Sequence, residues 1–226
     1  MEASFWHAKW EKSEIGFHQD DVNPLLLEHF GALSLPAGSR VFVPLCGKTR
    51  DIWWLLESGY RVLGVELSRM AVDLLFAEMD LQPAISQAGP LTRFAVEDVD
   101  IYCGDILELT GRELGQIDAV YDRAALVALP AAMRQRYADH LAAITGRARQ
   151  LLVAYEYDQS LQDGPPFAVG ADEVRRLYGR HYEPALLAST EVAVGLRGKC
   201  PATEHVWLLR QACSCRRSAD AATLRL

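Results

Sequence analysis

A few positions carry residue types whose chemistry their neighbours make legible. Glu66 closes the apolar run Arg61-Val62-Leu63-Gly64-Val65 and lies 19 residues beyond Gly47. A carboxylate at the end of a buried strand, about 20 residues past a glycine turn, can accept bonds from both hydroxyls of an adenosine ribose. Its plain alternative is a helix cap or a solvated acid. Asp105 follows Gly104 after the run Val99-Asp100-Ile101-Tyr102-Cys103, placed either for an adenine amino group or for a simple turn. Arg123 follows Asp122 at the end of another apolar run. It is either a surface cation or a guanidinium held against a carboxylate or an electron-rich substrate. Trp6, Trp10 and Phe17 precede the first strand. They read as core aromatics at helical spacing, or as a wall folded over an open cleft to exclude water.

The glycine pattern narrows the ligand. There is no G-x-G-x-x-G and no P-loop, only the lone Gly47 after Leu45-Cys46. A dinucleotide needs its pyrophosphate wrapped by a glycine-rich turn at a helix N-terminus. S-adenosylmethionine has no phosphate and needs one close backbone approach, which favours a methyltransferase over a dehydrogenase or a nucleotide hydrolase. The histidines show no metal spacing and no serine sits in a nucleophile elbow, so no metal is expected. Cys213-Ser214-Cys215 is the only close cysteine pair and reads as part of a tail rather than a zinc site.

These residues need a scaffold that sets strand ends side by side. Residues 40–44 and 61–66 are short, apolar and β-rich, as strands covered on both faces are. Helical patterns follow at 51–58 and 69–79, with Ser68 as N-cap. Strand, helix, strand, helix at this spacing predicts parallel βαβ units. Further strands are expected at 94–96, 99–103, 117–122, 150–156, 189–194 and 205–209, and helices at 1–14, from Asn23-Pro24, from Pro130 to 144 and at 171–178. An open parallel sheet binds its ligand at the carboxyl ends of its strands, beside the switch in strand order. Leu45, Glu66, Asp105 and Arg123 all fall at such ends.

Composition bounds the rest. The 226 residues are 50% hydrophobic and 23% charged, enough for one domain with a real core. No apolar run approaches a membrane span, and the N-terminus lacks a secretory pattern. A net charge of −7 disfavours phosphate backbones, so no nucleic acid partner is expected. Five scattered cysteines read as reduced thiols in the cytoplasm.

The same residues carry a family resemblance. Trp6 to Trp10 followed by Gly16-Phe17-His18-Gln19, then Val43-Pro44-Leu45-Cys46-Gly47-Lys48, Gly64-Val65-Glu66-Leu67-Ser68 and Tyr121-Asp122-Arg123-Ala124-Ala125-Leu126-Val127-Ala128, resemble the thiopurine S-methyltransferase family of bacterial type. Tyr155-Glu156-Tyr157-Asp158 and Gly164-Pro165-Pro166-Phe167 are similar too. The resemblance runs from about Phe5 to Leu209. It implies an α/β, class I, Rossmann-like methyltransferase with a mostly parallel sheet and helices on both faces. It implies S-adenosylmethionine as cofactor and a small thiol, a thiopurine or a selenium or tellurium compound as acceptor. Methylation of oxygen or nitrogen, or cofactor binding without catalysis, are the alternatives. By position, the cofactor contacts implied are Trp6, Trp10, Leu45, Gly47, Glu66, Asp105, Ile106 and Arg123, with Phe17 and Arg123 on the substrate side. The chemistry implied is in-line transfer by positioning, without a catalytic nucleophile; Cys46 serves as a small residue. The expected organisation is a monomer with one domain over 1–210, an N-terminal lid over about 1–20 and a disordered tail over 211–226.

Overall fold

The computed structural model describes residues 3–196 and 198–212. The chain opens with α1 (Ala3–Glu11) and α2 (Pro24–His29). Asn23 caps α2 by accepting from the Leu25 N–H, and Pro24 takes the first helical position, where no donor is needed. Then come β1 (Arg40–Pro44), α3 (Asp51–Glu57), β2 (Arg61–Glu66) and α4 (Arg69–Glu78). Ser68 caps α4 by accepting from the Ala71 N–H. A meander of β3 (Ala84–Ala88), β4 (Leu91–Val96) and β5 (Val99–Cys103) leads through the short α5 (Gly111–Leu114) to β6 (Ala119–Arg123) and α6 (Ala131–Ile144). β7 (Arg149–Tyr157), α7 (Ala171–Tyr178), β8 (Tyr182–Glu191) and β9 (Ala202–Gln211) complete the fold.

The strands form one nine-stranded sheet in the order β3-β4-β5-β2-β1-β6-β7-β9-β8. The five central strands, β5-β2-β1-β6-β7, are parallel. The outer pairs are antiparallel. The order reverses between β1 and β6, so their carboxyl ends flank the switch point. Alternating side chains feed two cores. Val41, Val62, Tyr121 and Leu151 join one with residues of α2, α3 and α4. Phe42, Leu63, Val120 and Leu152 join the other with residues of α6 and α7. The expected parallel α/β sheet with helices on both faces is the observed architecture.

Close packing also explains a mid-strand glycine. A Cβ on Gly64 would lie 2.6 Å from Ile101 Cδ1 and 2.9 Å from Cys46 Sγ. Glycine at 64 and a small residue at 46 therefore go together, and the turn after β1 can lie down on β2.

Several elements differ from expectation. β3 is an added edge strand, and its exposed Ala-Ile-Ser-Gln-Ala has no apolar face to announce it. β8 runs over Tyr182–Glu191 instead of 189–194, because Val192 onward turns back toward Ala202 and Cys200. β9 extends through Gln211, which pairs with Tyr182, and the Ala212 N–H donates to the His181 carbonyl. The tail expected from 211 thus begins inside the sheet. Its remainder, with Cys213-Ser214-Cys215, lies outside the described residues.

Asp122, one residue before the end of β6, lies inside the second core. It is fully buried and accepts from the Tyr137 hydroxyl at 2.7 Å and from the Leu126 N–H at 3.1 Å. Burial outweighs these bonds and lifts its pKa to about 6, from 3.8. The folded state therefore holds this proton more tightly than the unfolded chain. The stability Asp122 contributes is fully present below about pH 4 and is lost as pH rises through about 6. Two pKa units correspond to roughly 3 kcal/mol. The stability difference between wild type and Asp122→Asn should accordingly shift by up to that amount, in the mutant's favour, between pH 4 and 7. Urea titrations at both pH values check it; a difference that does not move with pH contradicts the assignment.

Candidate active site

At the switch point the strand ends surround a cleft of about 430 Å³, ample for a nucleoside-sized ligand. All nine residues singled out in the sequence line it: Trp6, Trp10, Phe17, Leu45, Gly47, Glu66, Asp105, Ile106 and Arg123. Two turns around it hold left-handed backbone, with φ of +47° at Leu45 and +54° at Gly47 after β1 and +63° at Ala124 after β6. For Leu45 and Ala124 that conformation costs roughly 1–2 kcal/mol each, a strain that packed cores tolerate and that gathers at functional sites.

Glu66 is only 6% exposed. Its Oε2 accepts from the Gly47 N–H at 2.9 Å and its Oε1 from the Ser68 N–H at 2.8 Å. Burial raises its pKa, and the N–H groups of Ser68, Gly47 and Leu67 oppose the rise. Glu66 is thus neither a solvated acid nor a simple cap. It clasps two turns from beneath, and a carboxylate has further lone pairs to offer a ligand. Asp105 is exposed at the rim, where its Oδ1 accepts from the Leu107 N–H at 2.9 Å. The turn reading is realised there, on a residue that also faces the cleft.

The aromatic segment lies across the strand ends. Trp10 is buried and meets Phe17 edge to face at 5.6 Å; Phe17 meets Trp6 at 5.8 Å. A Cβ at Gly47 would come within 3.3 Å of the Trp10 ring. Glycine here allows both the turn and the seat of the indole. Arg123 reaches up from β6 and donates from Nη1 to the Phe17 carbonyl at 3.2 Å. Cys46, beside them, points into the core at 5% exposure. Burial, with Glu66 nearby, pushes its thiol pKa well up, so it stays protonated and is no nucleophile.

Sequence reasoning missed two parts of the site. The first is a buried polar relay at the floor. Tyr121 donates to Asp51 Oδ2 at 3.1 Å, and Asp51 Oδ1 accepts from the Asn23 N–H at 2.8 Å. Asp51, in the first turn of α3 just past the glycine turn, was the available signal. The second is the far wall, which includes Met133, Tyr155, Pro165, Pro166 and Leu196. Arg134 fixes its loop. It donates to the Leu129 and Ala168 carbonyls, pairs with Glu173 at 2.7 Å and lies over the Phe167 ring. No local pattern marks apolar residues gathered from such separate segments.

The residues fit an adenosyl sulfonium. A buried carboxylate sits at the strand end, the Gly47 turn is open to close approach, and indole and phenyl faces suit a cation. The fold is that of known methyltransferases. The chain is similar to a TehB-like SAM-dependent methyltransferase from Corynebacterium glutamicum (TM-score 0.55, 13% identity, 93% of this chain and 98% of the other). It is also similar to a 1,6-didemethyltoxoflavin N1-methyltransferase from Burkholderia thailandensis (TM-score 0.63, 18% identity, 92% and 87%). Fold and site together define an α/β methyltransferase. The family model described as thiopurine S-methyltransferase matches residues 1–211, and the chain belongs to that family. Proteins named thiopurine S-methyltransferase from Xanthobacter autotrophicus (55% identical, covering 94% of this chain and 100% of the relative) and Teredinibacter turnerae (51%, 92% and 97%) are among its relatives.

The N-terminal segment is tied to the sheet by ring edges and the Arg123 bond, while β1 and β2 pair without it. Segments with few such ties open most readily. Amide exchange over residues 5–20 should slow when S-adenosylhomocysteine is added. Equal exchange with and without it would make these aromatics ordinary core.

Proposed function

We propose that this chain methylates the sulfur of a small thiol, a thiopurine or a related selenium or tellurium compound, inside the cleft described above. The reaction is methyl transfer from S-adenosylmethionine to sulfur, and the donor supplies a methyl group activated by a positively charged sulfur. The residues divide the work. Glu66 accepts from the ribose hydroxyls, Asp105 and Ile106 border the adenine, and Leu45 and Gly47 bring backbone against the donor. Trp6 and Trp10 cover it and keep water out. Phe17 and Arg123 hold the acceptor, and the guanidinium favours the anionic form of its sulfur. The single observation that carries this reading is the convergence of all nine residues on one cleft, beside a cysteine held protonated with its sulfur packed against Gly64. Rate enhancement then comes from alignment and exclusion of water.

Among the described residues, no helix is long and apolar enough to cross a membrane, and Cys46, Cys103 and Cys200 are free thiols. Those thiols support a cytoplasmic enzyme, and the net negative charge supports a small-molecule partner rather than nucleic acid. We propose that it acts as a monomer, with residues 1–20 as its lid.

A labelled methyl-transfer assay over thiols, selenols, thiopurines, phenols and amines tests the acceptor. Transfer to sulfur or selenium is expected; turnover confined to oxygen or nitrogen would overturn it. Glu66→Gln retains one acceptor oxygen but places a donor where the ribose must donate. Loss of a bond to a charged group costs on the order of 1.5–3 kcal/mol. Calorimetry should therefore show the Kd for S-adenosylhomocysteine rising by at least tenfold in a variant of unchanged fold. An unaltered Kd removes Glu66 from the ribose.

A further inference from the structure

Methylating a thiol releases its proton, and the groups around the strand-end turns are poorly suited to take it. Arg123 is a donor, the Cys46 thiol is already protonated and packed against Gly64, Glu66 accepts from the Gly47 and Ser68 N–H groups, and the Asp105 carboxylate sits at the exposed rim, accepting from the Leu107 N–H. The sheet face that carries Tyr121 offers another group. Arg123 stands opposite Val153 in the parallel β6–β7 register. Tyr155 is two residues further along β7 and so on the same face. It stands directly opposite Glu204 in the antiparallel β7–β9 register. Arg123, Tyr155 and Glu204 thus form a row across three strands at the cleft end of the sheet. Tyr155 is half-buried and lines the cleft. It packs against the small apolar cluster of Leu196, Cys200 and Ala202. Glu204, half-buried, stands directly opposite Tyr155, and its charge acts on the phenol.

We propose that Tyr155 and Glu204 form the proton outlet of the reaction. As the acceptor sulfur bonds to the methyl carbon, its S–H bond breaks and the proton passes to the Tyr155 oxygen. The phenol's own proton moves to the Glu204 carboxylate, which later releases it to water. The S–H electron pair remains on the acceptor sulfur. The pair of the broken bond to the methyl group remains on the donor sulfur and cancels its positive charge. Atoms and charge balance without any further reagent.

The surroundings suit a relay rather than a free tyrosinate. Burial raises the phenol's pKa most, Glu204 raises it further, and Arg123 opposes both. The phenol therefore stays neutral and passes a proton on only because a carboxylate stands behind it. The groups that face the row are Arg123 and Tyr121 from β6 and Glu204 from β9, and Tyr121 is itself engaged with Asp51 of α3.

This inference rests on methyl transfer to sulfur, and its test separates the two. Tyr155→Phe and Glu204→Gln are compared with wild type on thiols whose pKa values run from below to above the assay pH. Melting temperature and binding of S-adenosylhomocysteine serve as checks on fold and donor site. An acceptor already ionised brings no proton and needs no outlet. For thiols with pKa above the assay pH, kcat should fall on the order of 10²-fold in either variant, with KM little changed. For thiols ionised at the assay pH, kcat should stay near wild type. In the variants the rate on the first group should climb with pH until the thiol ionises. Equal losses on both groups would make Tyr155 a wall residue and overturn the relay; so would full activity on both. A wild type that transfers to no thiol would remove the sulfur reading and the relay with it. A wild type active on ionised thiols upholds the sulfur reading whichever way the variants fall.

Discussion

One carboxylate holds the strand-end half of the cleft together. Glu66 ends β2, and its two oxygens accept from Gly47 in the turn after β1 and from Ser68 at the start of α4. Without it, two buried N–H groups would be orphaned, each costing on the order of 1–3 kcal/mol. The turn it fixes has Gly47 at a φ of +54° and is the seat of the Trp10 ring. Trp10 in turn meets Phe17, whose carbonyl accepts from Arg123 at the end of β6. The path leads from β2 through the turn and the N-terminal aromatics to the far side of the switch point. A ligand held by Glu66 is therefore held by the group that also shapes the walls around it.

Backbone strain and tight packing serve the same end. Leu45 and Ala124 keep left-handed backbone that only a rigid setting sustains. Beneath Leu45, Cys46 lies so close to Gly64 that no side chain fits between them. The thiol contributes its small volume and keeps its proton, so the most conspicuous nucleophile in the motif is a packing residue. A strong methyl donor and a sulfur acceptor need little chemical help, and the fold invests instead in fixed geometry.

The parallel core and the strand-end lining of the cleft were legible in the sequence because each had a local mark. Short apolar runs gave β1 and β2, Ser68 gave the start of α4, and strand-end acids and a lone glycine gave Glu66, Asp105 and Gly47. Family resemblance then joined the aromatics to them. The β3 edge was not legible, since Ile85 is its only large apolar side chain. The bounds of β8 and β9 were set by a partner strand rather than by their own pattern, a tertiary override of local preference. The Tyr121–Asp51 relay and the row of Arg123, Tyr155 and Glu204 depend on register between strands far apart in sequence. Spacing along one chain cannot reveal such register.

That difference in legibility follows the division of labour. The Glu66 half of the cleft is built from the ends of neighbouring strands, where a displaced atom would disturb the sheet itself. The far wall of the cleft is assembled from attachments: the loop from Pro165 to Ala168 and the turn around Leu196. The loop is held from behind, by Arg134, by the Tyr157 hydroxyl donating to the Pro166 carbonyl, and by the Phe167 N–H donating to the Val127 carbonyl. None of these bonds uses the side chains of Pro165 or Pro166 that face the cleft. Backbone anchoring frees the facing side chains to set the shape of that wall, while the clamp at Glu66 leaves no such freedom to the turn after β1. A single sheet thus carries one half of the cleft fixed by the strand ends themselves and another shaped by side chains that no hydrogen bond of the loop depends on.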